Sequence, residues 1–176
     1  MRNRPAWHVL LRRHGAALLL ALLAAGASAV CAGVLPSWEV HRPAGVKRSS
    51  LAFRLVLDHP GPGTQTLKGP DGTPRILSST AVVSQNDITK VEVLEVPKWR
   101  EDRPAQFVIN LYFKPDAAHR VHQVTLDNMG HLMAIVIDGR IIMAPRINGP
   151  IDSTAMIEGN YSTRAEATRV AEQLAP

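Results

Sequence analysis

A chain of 176 residues with 45 % hydrophobic side chains is enough for one domain with a core of ordinary size. The formal charge of +5 is concentrated at one end: of 20 basic residues, Arg2, Arg4, Arg12 and Arg13 fall within the first 29 positions, which hold no Asp or Glu, leaving 16 basic against 15 acidic side chains. A nearly neutral remainder has no electrostatic footprint for phosphate, so no nucleic-acid partner is expected, and the single cysteine, Cys31, excludes an intrachain disulfide, a thiolate metal cluster and a cysteine nucleophile.

Residues 1–29 have the parts of an export segment: a basic start, then an uncharged run from Gly15 to Leu35. Ala27-Ser28-Ala29 is an A-x-A site that places cleavage between Ala29 and Val30. Two other outcomes fit the same residues. The uncharged run is long enough to stay in the bilayer as an anchor. Cys31 is a lipidation candidate, although Val30 is bulkier than the usual preceding residue and Ser28 stands where Leu is usual. All three outcomes export the domain to the periplasm or cell envelope, with the membrane met only through this segment.

Residues 30–50 contain Pro36, Pro43, Gly45 and Lys47-Arg48 with little periodicity, and read as a linker. The folded domain is expected over 51–176. Leu51, Phe53, Leu55 and Leu57 alternate as in a half-buried strand, whereas residues 59–74, dense in Pro and Gly, read as a mobile loop. Apolar segments follow at 76–83 and at 89–96, the latter a strand, or a short helix giving way to one, with Val91 and Val93 on one face. A charged connection spans 97–104, and Gln106 to Phe113 alternates cleanly with Phe107, Ile109, Leu111 and Phe113 on one side.

Pro115-Asp116 opens a helix, since Pro suits the first turn and Asp complements the N-terminal dipole. Its inward face is read as Ala118, Val121, His122, Thr125, Leu126 and Met129, with Gly130 as the stop. Two apolar strands then flank Asp138-Gly139, a pair suited to a type I′ hairpin turn because both central residues need positive φ. A short strand near Ala155 to Ile157 precedes a final helix opened by the capping box Thr163-Arg164-Ala165-Glu166, with Ala167, Val170, Ala171 and Leu174 inward. The fold class is α+β: an antiparallel sheet with two helices packed on one face.

Several segments, taken in order, resemble the SecDF protein translocase family at the head subdomain of its first periplasmic domain, in its SecD-like form. They are Leu51 to Val56, Val83 to Ile88, Phe107 to Phe113, Thr125 to Gly130, Ala134 to Gly139, Ile142 to Ile147, Ile157 to Ser162, and Glu166-Ala167. The resemblance covers about residues 51–174. It implies the head fold and transient contact with emerging polypeptide. It also implies that proton-driven translocation, which in the family uses several membrane spans and a larger base subdomain, is not carried by this chain alone. The implied partners are unfolded exported polypeptide or Sec translocase components, bound without catalysis.

Methionine repacks against varied partners, and sheet edges offer sequence-tolerant main-chain bonding. Phe113, Met143 and Met156 are therefore the candidate peptide contacts, with the edge placed at 107–113 or 155–157. The competing reading puts the methionines in the core. No catalytic, cofactor or metal residues are assigned. His119 and His122 share a helical spacing, with His131 beyond, but three or four ligands with supporting partners are needed to hold a metal. No serine stands in nucleophile wording. A periplasmic ligand- or metal-binding protein that reuses the fold is the alternative, and a small hydrolase with an unrecognised site is a further one.

Overall fold

The computed structural model describes residues 35–96 and 106–176. The cleavage position at Ala29 and Val30, the lipidation candidate Cys31 and the charged connection at 97–104 lie outside the described residues. In chain order the elements are β1 (Ser37–Glu39), β2 (Leu51–Leu57), β3 (Thr64–Lys68), β4 (Pro74–Ser78), β5 (Val83–Ser84), a 3-10 turn at Gln85–Asp87, β6 (Ile88–Val96), β7 (Gln106–Phe113) and α1 (Pro115–Asp127). They continue with β8 (Met133–Ile137), β9 (Arg140–Met143), β10 (Thr154–Tyr161) and α2 (Arg164–Leu174).

The α+β class and the antiparallel pairing are as expected, but the strands divide between two sheets. One runs β1-β6-β7-β10, and the other β3-β4-β2-β8-β9 with β5 paired to β2. The main core lies between them and takes in Ala117 and Val121 of α1 and Ala167, Ala171 and Leu174 of α2. Phe53 and Phe113 meet edge to face there, with centroids 5.9 Å apart. A second, smaller core of Leu77, Ala134, Val136 and Ile141 lies on the other face of β8. Edge strands β3 and β9 come close to one another, so the second sheet curls around this core. All five residues of β8 are consequently buried. That is why Met133 to Ile137 is apolar throughout instead of alternating: both faces leave water.

Two expectations are corrected. Residues 59–74 are not a mobile loop, because their Gly and Pro residues form the two turns that flank β3. Gly63 and Gly72 have φ of 75° and 80°, and β3 pairs along its whole length with β4. Its polar wording, Thr-Gln-Thr-Leu-Lys, is that of an edge strand. The linker reading fails from Ser37 onward, where β1 pairs with β6. Val40 donates its N–H to the Val91 carbonyl at 2.9 Å, and Ser49 to the Gln173 carbonyl at 2.9 Å. This segment is held by backbone bonds and by a few isolated side chains, Val40 in the main core and Trp38 against Phe107 with centroids 6.5 Å apart, too few to leave a periodic trace.

The inward face of α1 is rotated from the one expected. Ala117, Val121 and Thr125 are buried, while Leu126 and Met129 are 49 % and 46 % exposed. The Thr125 hydroxyl decides this: it donates to the Val121 carbonyl at 2.7 Å and accepts the Ile151 N–H at 2.9 Å. A buried hydroxyl so partnered is comfortable in a core.

Candidate functional site

Among the expected contact residues, Phe113 is only 6 % exposed and sits in the main core. It cannot present a surface. Strand β7 offers no edge either, because it is paired with β6 on one side and β10 on the other. Met143 is half-buried against the main core. Met156 is 37 % exposed and belongs to β10, which is the terminal strand of its sheet. Met133, by contrast, is core.

Helix α2 covers one face of the β1-β6-β7-β10 sheet, packing against β6, β7 and β10. The register places Leu94, Val108 and Glu158 in one row on the opposite face, and Glu92, Asn110 and Met156 in the next. Lys90, Glu92 and Tyr112 form a compact polar group there. The Tyr112 hydroxyl donates to Glu92 Oε2 at 2.6 Å and Lys90 Nζ to Glu92 Oε1 at 2.9 Å, with the ammonium 4.1 Å from the Tyr112 ring centre. Burial works against the Glu92 carboxylate, but the bonds from Tyr112 and Lys90 outweigh it and hold its pKa below the usual range. The same bond to Glu92 raises the pKa of Tyr112, with burial adding to it. Glu158 is pushed up by burial.

On the inner face, Ile157 and Tyr161 of β10, Ile137 and Ile142 of the β8–β9 hairpin, and Val170 of α2 line a cavity of about 40 Å³. Ser49 and Gln173 stand at its polar side. Beyond Glu158, which opposes Val108, β10 bulges so that Tyr161 opposes Phe107 on this face, where an unbulged strand would place Gly159. The Tyr161 ring then lies over Gly159, where a Cβ would overlap it. Burial pushes the Tyr161 phenol up to about 12.

Asp138 and Gly139 join β8 to β9 with φ of 48° and 74°, positive at both central positions. Asp138 also binds the far end of the chain's first segment. Its carboxylate accepts the Ser50 N–H at 2.8 Å and the Ser49 hydroxyl at 3.0 Å. The role is structural.

His119 and His122 are not brought together as metal ligands. His122 Nδ1 lies 2.7 Å from Asp152 Oδ1, and no group of three or more His, Cys, Asp or Glu residues is placed to hold a metal among the described residues. The sequence reading missed the cavity residues Ile142, Ile157, Tyr161 and Val170 as a group. The one signal that pointed to them was Gly159 two positions before Tyr161, a pattern that marks a strand bulge.

The family model for the SecDF P1 head subdomain matches residues 64–175. Protein translocase subunit SecD of Acidaminococcus fermentans is 29 % identical over 117 residues, covering 63 % of this chain and 27 % of that protein. Protein translocase subunit SecDF of Thermus thermophilus is 41 % identical over 64 residues, covering 36 % of this chain and 9 % of that protein. The chain thus spans less than a third of the length of these relatives. A solved structure of SecDF, described as a membrane component that enhances protein export, superimposes with a TM-score of 0.52 at 25 % identity, covering 73 % of this chain and 63 % of the solved one.

Proposed function

The chain belongs to the SecDF P1 head family, and from that premise we propose that it is a non-catalytic binding module of protein export. It engages polypeptide or a translocase component at the periplasmic face of the inner membrane. Among the described residues no helix is long and apolar enough to cross a membrane; in the uncleaved outcome the proposed attachment is through residues 1–29. The relatives named above are translocase subunits, and that supports an export role.

The observation that carries a binding role is the face of the four-stranded sheet opposite α2. It exposes Met156, with half-buried Leu94 and Glu158 in the adjacent row on either side of buried Val108. Met156 is the most exposed of these and the most adaptable, since an unbranched thioether repacks against varied partners.

A photo-crosslinking residue at Met156 of the full chain, activated in the native cell envelope, tests this. Recovery of exported polypeptides or Sec translocase subunits is the expected result. Recovery of neither from Met156, with a probe at the more exposed Leu126 also silent, overturns the reading.

A further inference from the structure

Strand β10 has a free edge whose polarity can be read from its pairing with β7. Phe113 donates its N–H to the Ser153 carbonyl at 2.9 Å. In an antiparallel ladder the hydrogen-bonded residues alternate, so Ala155 and Ile157 turn their backbone groups toward β7. Thr154, Met156 and Glu158 turn theirs away from it. No hydrogen bond from the described residues reaches those outward N–H and C=O groups. The strand is eight residues long, regular from Thr154 to Glu158 and bulged beyond, and among the described residues β7 alone pairs with it. Edges of this kind are usually blunted by short length, by proline or by a covering element. Strand β1, at the other end of the same sheet, has only three residues.

The cavity described above adjoins this edge from the inner face through Ile157 and Tyr161. On the outer face Glu158 carries no ion pair among the described residues, and burial already raises the pKa of its carboxyl. A cation beside it would relieve that burial.

We propose that the outward edge of β10 at Thr154, Met156 and Glu158 binds an extended polypeptide segment as an added strand. A small apolar side chain of that segment sits in the cavity beside Ile157 and Tyr161, and a Lys or Arg at the alternating positions faces Glu158. The outward donors and acceptors are spaced for an extended backbone. Successive side chains of such a strand point to opposite faces, so the residue opposite Ile157 lies over the cavity and its neighbours lie over Met156 and Glu158. Main-chain bonding makes the ladder tolerant of sequence, and the cavity and Glu158 add an alternating apolar–basic preference. The inference rests on the polypeptide-binding reading above and specifies how that binding is made.

The test uses the full chain and a labelled peptide of alternating valine and lysine, about six residues long, with binding read by fluorescence anisotropy. Methylating the backbone nitrogens of one alternating set removes the donors that face β10, and methylating the other set removes those that face solvent. One of the two peptides is expected to lose at least about tenfold in affinity while the other binds as the parent does. Equal affinity for all three peptides overturns strand addition.

On the protein side, Met156→Pro deletes one outward donor without touching the ladder to β7, as proline permits on an edge. It is expected to bind about tenfold more weakly than Met156→Thr, which loses the same thioether but keeps the donor, with the melting temperatures of the two variants little different. Where Met156→Pro binds the peptide as the parent does, strand addition is overturned and polypeptide binding by another surface stands. Where no variant or parent binds any peptide and the envelope crosslinks are also absent, the polypeptide reading itself falls. A concentration-dependent dimer abolished by Met156→Pro assigns the edge to a second copy and overturns the polypeptide occupant.

Discussion

The carboxylate of Asp138 accepts the backbone N–H of Ser50 at 2.8 Å, and the Ser50 carbonyl accepts the Asp138 N–H at 2.9 Å. A turn residue thereby fixes the point where the chain enters β2, and Ser49 ties the same point to α2 through the Gln173 carbonyl. Asp138 sits at φ 48°, a conformation that Asn shares and Ala resists. Asp138→Ala loses both carboxylate bonds and strains the turn, with an expected loss of about 2–3 kcal/mol in urea unfolding. Asp138→Asn keeps the turn and one acceptor, with an expected loss of about 1 kcal/mol. Equal losses in the two variants would show that the turn conformation contributes nothing beyond the bonds.

Leu77 is fully buried in the smaller core, against Ala134, Val136 and Ile141. Leu77→Ala opens a cavity that the curled sheet cannot close, since β2 and β8 are also fixed by the main core. The expected cost is about 2–5 kcal/mol by chemical denaturation. Leu67 is only half-buried on β3, and Leu67→Ala is expected to cost less than half as much. Equal effects would mean that the β3–β4 hairpin belongs to one cooperative core with the rest.

What the sequence discloses depends on how local the deciding contact is. The turn at Asp138-Gly139 and the capping box at Thr163 are closed by neighbours. Thr163 Oγ1 accepts the Glu166 N–H at 3.2 Å, and the Glu166 carboxylate accepts the Thr163 N–H at 3.2 Å. Both could be read from a few residues. The inward face of α1 could not, because Thr125 earns its buried place through Ile151, far along the chain. Strand β3 was hidden by its polar edge wording, and β1 by its length of three residues, of which Trp38 alone packs on the core. For the candidate site, periodicity told which side of β7 is buried but not which strand lies beside it. The free edge therefore had to be found in the sheet order.

Gly159 and Tyr161 act as a pair. A Cβ at Gly159 meets the Tyr161 ring, so Gly159→Ala must push the ring out of its place beside the cavity. The expected cost is about 1–3 kcal/mol. In a Tyr161→Ala background the ring is gone, and the same Gly159→Ala change is expected to be nearly neutral. The coupling from the double-mutant cycle should therefore be at least about 1 kcal/mol. Simple additivity would show that the ring does not lie over the glycine in solution.

Acid sensitivity is assigned in part to Glu92. Its burial is outweighed by the bonds from Tyr112 and Lys90, so its folded-state pKa lies below the ordinary value of 4.5. A depressed carboxylate contributes stability that is present above the unfolded pKa and is lost as pH falls through the folded pKa. Unfolding free energy should thus be flat near neutrality and decline below about pH 4.5. Glu92→Gln should start lower at neutral pH and decline less steeply. An unchanged acid slope in that variant would remove Glu92 from the account.

The alkaline limb tests Tyr161. Its phenol is pushed up to about 12 from the ordinary value of 10.0 by burial beside the cavity. A raised pKa contributes stability that is fully present below the unfolded value and is lost as pH rises through the folded one. Two units correspond to about 2–3 kcal/mol lost between about pH 10 and pH 12. Tyr112 and Lys90 are raised as well, so the whole protein weakens over the same window. Tyr161→Phe keeps the ring over Gly159 and removes only the titrating hydroxyl. Its alkaline loss, measured by urea unfolding at successive pH values, should be smaller than the parent's by about that amount. Parallel curves for the two proteins would place the phenol in water and leave the cavity without its aromatic wall.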